Sequence, residues 1–171
     1  MPRHDLPATA RTLPPTVGSL PPHVRALAEA VSDAVDAAGS GDREGFARAG
    51  TRLSALDPDQ LRRVLSAVLR PLLEDLHPEG VSGDDLRTAV AGCAAGVATW
   101  APVDPQVLVV VVAGAFGIHP QEQERPDVAA TQVAHHACLL IAHLLATSGR
   151  RLEEYLRLAF AELARSELQD D

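Results

Sequence analysis

Between Leu61 and Leu76 the large aliphatic side chains recur at one spacing: Leu61, Val64, Leu65, Val68, Leu69, Leu72, Leu73 and Leu76. Steps of three and four residues line one face of a helix, whereas a strand would scatter the same residues over both faces. Asp57-Pro58 precedes the run, supplying an N-cap carboxylate and a proline whose fixed φ suits a first helical turn. Pro71 lies inside the run and predicts a kink. A helix with so wide an apolar stripe is stable only when other elements cover it, which makes the rest of the chain a search for its neighbours.

Those neighbours also read as helices. The first opens at Pro22 and aligns Val24, Leu27, Ala28, Val31, Val35 and Ala38 before the Gly39-Ser40-Gly41 loop. A second runs over about 42–56 on Phe46, Ala49 and Leu53. After the stop at His77-Pro78-Glu79-Gly80, Ser82 and Asp85 form a capping-box pattern for a fourth helix ending near Trp100. Asp104-Pro105 repeats the Asp-Pro start and opens a fifth segment, Gln106 to Ile118. Its valines would suit a buried strand, but no second strand exists to pair with it, so a helix is expected. A sixth helix follows Pro126 to Ser148, stopped by Gly149, and a seventh runs from Arg150 to about Leu168.

The expected fold is therefore all-α, a compact bundle of six or seven helices over residues 22–171. Residues 1–21, with five prolines and no surviving apolar period, are expected to form a flexible tail. A shift of 47 residues superimposes Asp57-Pro58 on Asp104-Pro105, Leu61 on Leu108 and Val64 on Val111. That offset raises the alternative of two HEAT-like helix-pair repeats against an irregular bundle.

Only five aromatic residues occur (Phe46, Trp100, Phe116, Tyr155 and Phe160), so the core must be built from Ala, Val and Leu. All 15 basic residues are arginine and the net charge is −8. Dispersed arginines in an acidic chain are a poor footprint for phosphate neutralisation, so no nucleic-acid partner is expected. The apolar run Val107 to Ile118 is twelve residues long, against the roughly 20 needed to span a bilayer, so no membrane partner is expected either. MPRHDLPATARTLPP lacks the apolar region of a secretory signal. Cys93 and Cys138 sit singly in apolar helical stretches and read as buried free thiols of a cytoplasmic protein.

The candidate chemistry is sparse. His135, His136 and His143 fall on the sixth helix around Cys138. His135 and Cys138 are one turn apart and could share a metal, but His136 and His143 are about 10 Å apart along the axis, and no second His/Cys pair completes a zinc site. Packing is the simpler role, with ligand contact the alternative. Glu74 and His77 make a single Glu-x-x-His where a di-iron site needs two. Arg62, Arg63 and Arg70 share a polar face already compensated by Asp59 and Glu74. Gly92 and Gly96 share a small face with Thr88, and Ala113 and Gly117 offer a matching one, which predicts a close crossing of the fourth and fifth helices. No nucleophile elbow is present, and a P-loop is impossible without lysine. No metal and no cofactor are expected.

These features favour a noncatalytic cytoplasmic interaction or regulatory module. The alternative is a small-molecule sensor with an apolar pocket between helices four to six, contacted by His135, His136 or His143. The fifth and sixth helices are apolar nearly all round, and a bundle this small comfortably encloses one such helix. The second is expected to keep a face that needs another cover, a homodimer contact through Val109 and Val110, or else a ligand cavity or a different protein.

Overall fold

The computed structural model describes residues 20–118 and 127–169. Among these there are seven helices and no strand: α1 (Pro22–Ser40), α2 (Arg43–Ser54), α3 (Pro58–Leu76), α4 (Gly83–Val97), α5 (Pro105–Ala115), α6 (Ala130–Ser148) and α7 (Leu152–Gln169). The fold is a compact all-α bundle, and the valine-rich fifth segment is helical. The tail expected over 1–21 lies outside the described residues apart from Leu20 and Pro21.

Local chemistry sets most of the helix ends. The Asp42, Asp57 and Asp104 carboxylates accept hydrogen bonds from the N–H groups of Gly45, Gln60 and Gln106 at 2.9, 2.8 and 2.9 Å. Each satisfies a backbone donor that the first turn leaves without a partner. Ser82 and Asp85 close the reciprocal capping box of α4. Gly41, Gly117 and Gly149 take left-handed φ values of 65°, 70° and 66° just beyond α1, α5 and α6. After α5 this is a Schellman turn, in which the Ile118 N–H reaches the Ala113 carbonyl at 2.9 Å and the Gly117 N–H reaches Gly114 at 3.1 Å. The turn stops α5 at Ala115, although the apolar run continues to Ile118. α6 likewise begins at Ala130, later than the sequence pattern implied, while α3 passes through Pro71 as one helix.

α6 is the centre of the bundle. It packs against α1, α2, α3, α4 and α5, and the six consecutive residues from Ala137 to Ala142 are all buried. Burial of consecutive residues requires neighbours on every side, so the all-round apolar pattern of this helix is explained by its position. α3 carries its leucine stripe between α5 and α6 on one side and α7 on the other. Tyr155 of α7 is buried against it, and its hydroxyl donates to Asp75 Oδ2 at 2.8 Å.

The 47-residue offset reappears in the helix starts, Pro58 with Pro105 and Gly83 with Ala130. The pairs nonetheless pack differently: α5 lies along α6, whereas the principal neighbours of α3 are α5, α6 and α7 and not α4. They are not two copies of one packed helix-pair unit. α4 and α5 do touch, as expected, but not through the small faces of Gly92, Gly96 and Gly117. A Cβ on Gly92 would lie 3.0 Å from His143 Nε2 of α6, while a Cβ on Gly96 or Gly117 would meet nothing within 4 Å. The small side of α4 makes room for an imidazole ring from the central helix.

Candidate functional site

The three histidines of α6 point into three different helix contacts. His135 lies edge-on to Phe46 of α2, ring centroids 6.0 Å apart, with its Nε2 3.3 Å from the Gly50 carbonyl. A Cβ at Gly50 would come within 2.9 Å of that ring. His136 is buried and reaches the start of α5. Its Nε2 accepts the Asp104 backbone N–H at 3.0 Å, so the ring proton sits on Nδ1 and is donated to the Gln132 carbonyl at 2.8 Å. His143 rests on Gly92, and burial pushes its pKa below the ordinary value of 6.5. Each ring meets a different neighbouring element: His135 meets α2, His136 the start of α5, and His143 α4.

The other chemistry-bearing groups of the core are similarly engaged. Cys93 and Cys138 are free and buried. Loss of hydration raises their thiols to about 11 and about 12, so both remain protonated at neutral pH. Among the described residues no three His, Cys, Asp or Glu side chains converge as a metal-binding group. His77, at the end of α3, instead lies 3.5 Å from the Asp85 carboxylate of the α4 capping box. Arg62 and Arg70 pair with Asp59 and Glu74 at 3.5 and 3.0 Å along the α3 surface, as the spacing implied.

A groove of about 750 Å³ lies between α3, α5 and α6. Its walls are Leu61, Leu65 and Leu69 of α3, Val110, Val111 and Gly114 of α5, and Val133, Ala134 and Ala137 of α6, completed by Leu53, Leu56 and Ile118. The helices that bound it differ in length. With 11 residues α5 covers about 16 Å, whereas α3 and α6, with 19 residues each, run for about 28 Å. The Schellman turn leaves Ile118 at the groove edge, 62% exposed. Among the described residues, Asp59 and Arg62 are the charged members of the lining, and they pair with each other. Ser54, Ser66 and Thr131 supply its uncharged polar groups.

This groove has α3 as a wall where the expected pocket had α4, and none of His135, His136 or His143 lines it. Of the two valines singled out from the sequence, Val110 is half-buried in the groove wall and Val109 is 50% exposed on the outer side of α5. Sequence reasoning missed the contributions of Leu61, Leu65, Leu69 and Ile118, because a leucine stripe does not reveal where its covering helix stops. A smaller polar cleft of about 330 Å³ lies between α1 and α2 around Asp33, Asp36 and Arg52. Arg52 pairs with Asp33, and burial together with Glu153 and Asp33 raises the carboxyl pKa of Asp36. No protein-family model, curated protein or solved structure matches this chain.

Proposed function

We propose that this chain is a noncatalytic interaction or regulatory module of the cytoplasm and that it binds another polypeptide through the α3–α5–α6 groove. The carrying observation is an aliphatic groove whose described charged lining residues compensate each other, with Ile118 exposed at its edge and Val109 exposed on the outer side of α5. Apolar side chains exposed beside a groove support a binding role for it. The noncatalytic reading is supported by the engagement of the α6 histidines in helix packing and by the raised thiol pKa values. The free thiols suit a reducing compartment.

The volume of the groove favours a second reading, an apolar small molecule, since ligand sites commonly measure roughly 300–1,000 Å³. One experiment separates the two. A photo-crosslinking amino acid is placed at Val110, in the groove, and at Ala164, an exposed position on α7, and illuminated in living cells. Polypeptide adducts at position 110 and not at 164 are the expected result. A small-molecule adduct at 110 would favour the second reading, and equal polypeptide adducts at both positions would remove the groove as the binding surface.

A further inference from the structure

We infer that α4 and α5 form an acid-sensitive flap, held to the central helix by two histidines of α6, His136 and His143, that must both be uncharged, so that a modest fall in pH loosens these two helices while the rest of the bundle stays folded. The loosening follows from the packing of α6 alone, whatever the groove binds.

The two rings lie on one side of α6. Seven residues is close to two full turns, so they point within about 20° of each other, about 10 Å apart along the axis. His143 meets Gly92 in the middle of α4, and His136 meets Asp104 at the start of α5. α4 packs chiefly against α5 and α6, so its place in the bundle depends on this side of the central helix.

Each ring needs its neutral form. His136 Nε2 accepts the Asp104 N–H at 3.0 Å while Nδ1 donates to the Gln132 carbonyl at 2.8 Å. An imidazolium carries a proton on both nitrogens. The protonated ring would therefore aim one N–H at another and leave two donors facing each other. His143 sits against Gly92, where a Cβ would lie 3.0 Å from its Nε2, and burial there disfavours its charged form.

The other ionisable groups around these helices confine the effect to one end. His135 Nε2 donates to the Gly50 carbonyl of α2, a bond that an imidazolium keeps. His77 faces the Asp85 carboxylate at the start of α4, and protonation strengthens that pair. Asp84 and Arg87 pair with each other in the same turn, and the buried Cys93 remains a thiol. From α2, Arg43 donates to the Trp100 carbonyl of the α4–α5 connection at 2.7 Å. From α3, Arg70 lies over the Phe116 ring just past α5. α5 itself has no ionisable side chain. The Asp104 carboxylate caps the Gln106 N–H, so swinging it onto an imidazolium at position 136 would itself uncap α5. Asp36, whose carboxyl is raised, lies in the α1–α2 cleft. Acidification thus leaves the start of α4 anchored and releases its second half together with the first turn of α5.

The test is amide hydrogen exchange of the full chain, followed by NMR at about pH 7.5 and about pH 5.5, the range in which imidazoles commonly titrate. Each rate is divided by the intrinsic rate at that pH. The reporters are the amides of Asp104, Val107 and Leu108, with those of the second half of α4, and the buried amides of α3 are the reference. Protection of the reporters should fall at least about tenfold more than that of α3. With His136→Gln and His143→Gln combined the difference should vanish, because a glutamine amide oxygen accepts in place of Nε2 and does not titrate. An equal fall in both sets, or a selective fall that survives the double substitution, overturns the flap. Should the double variant not fold, the native chain decides through its ring nitrogen signals. His136 and His143 must gain protons over the pH range in which the reporters lose protection, and opening without ring protonation overturns it as well.

Discussion

His136 Nε2 accepts the backbone N–H of Asp104 at 3.0 Å, joining the enclosed helix α6 to the N-cap residue of α5. Asp104 in turn caps the Gln106 N–H with its side chain, so one residue fixes both the start of α5 and its attachment to the core. The position of α5, and with it one wall of the groove, depends on this pair.

Replacing His136 by leucine should therefore cost about 2–3 kcal/mol, because the Asp104 N–H loses its acceptor in a half-buried site. Urea denaturation at neutral pH measures the loss. A variant within about 0.5 kcal/mol of native would show that the bond contributes little.

Two helical glycines should respond to the same substitution with opposite signs. Gly114→Ala adds a methyl group in open space and removes a helix-weakening glycine, for a gain of about 0.5–1 kcal/mol. Gly50→Ala places a methyl group 2.9 Å from the His135 ring, and the displaced ring should cost about 1–3 kcal/mol despite the better propensity. Thermal melts of the two variants check both signs at once, and stabilisation by Gly50→Ala would mean that His135 moves freely.

Tyr155 is the only tyrosine, so its ionisation can be followed directly by ultraviolet absorbance. Burial and the hydrogen bond to Asp75 hold its proton until about pH 12, against an ordinary value of 10. Between these values the folded state binds the proton more tightly than the unfolded state. This stabilisation is complete below pH 10 and is lost as pH rises through 12. A phenol titrating near 10 in the folded chain would contradict the packing of α7 on α3.

His143 works in the opposite direction. Burial lowers its pKa, so as pH falls below 6.5 the unfolded chain takes up a proton that the folded chain resists. Its contribution is complete above 6.5 and declines as pH falls through that value towards the lower folded pKa. Native protein should thus lose more stability than His143→Gln between about pH 7.5 and pH 5.5. Equal losses in urea titrations would place His143 in solvent.

Much of this architecture was legible in the chain because helix starts are local events: Asp57-Pro58, Ser82 with Asp85, and Asp104-Pro105 each announce a first turn that the structure contains. The enclosed position of α6 was also readable from its apolar circumference. Neighbour choice was not. The Gly92 face receives His143 and not the small side of α5, because which helix fills a gap depends on crossing geometry that linear spacing does not encode. The groove was hidden for a related reason. Apolar character persists to Ile118, but the left-handed turn at Gly117 ends α5 first, and the length mismatch with α3 and α6 appears only once the three pack together. His136 looked like a candidate ligand contact because its partner, the N–H of Asp104, is 32 residues away in sequence.

In the proposed function the groove binds, while the histidines of α6 hold the fold. The most direct measurement is the yield of polypeptide adducts from a photo-crosslinker at Val110 in two further backgrounds, Gly114→Leu and His143→Gln, each compared at a temperature where circular dichroism shows it folded. Loss of adducts in Gly114→Leu with retention in His143→Gln is the expected result. Retention in Gly114→Leu with loss in the folded His143→Gln chain would contradict the account, moving the binding site from the groove to the α4–α6 contact.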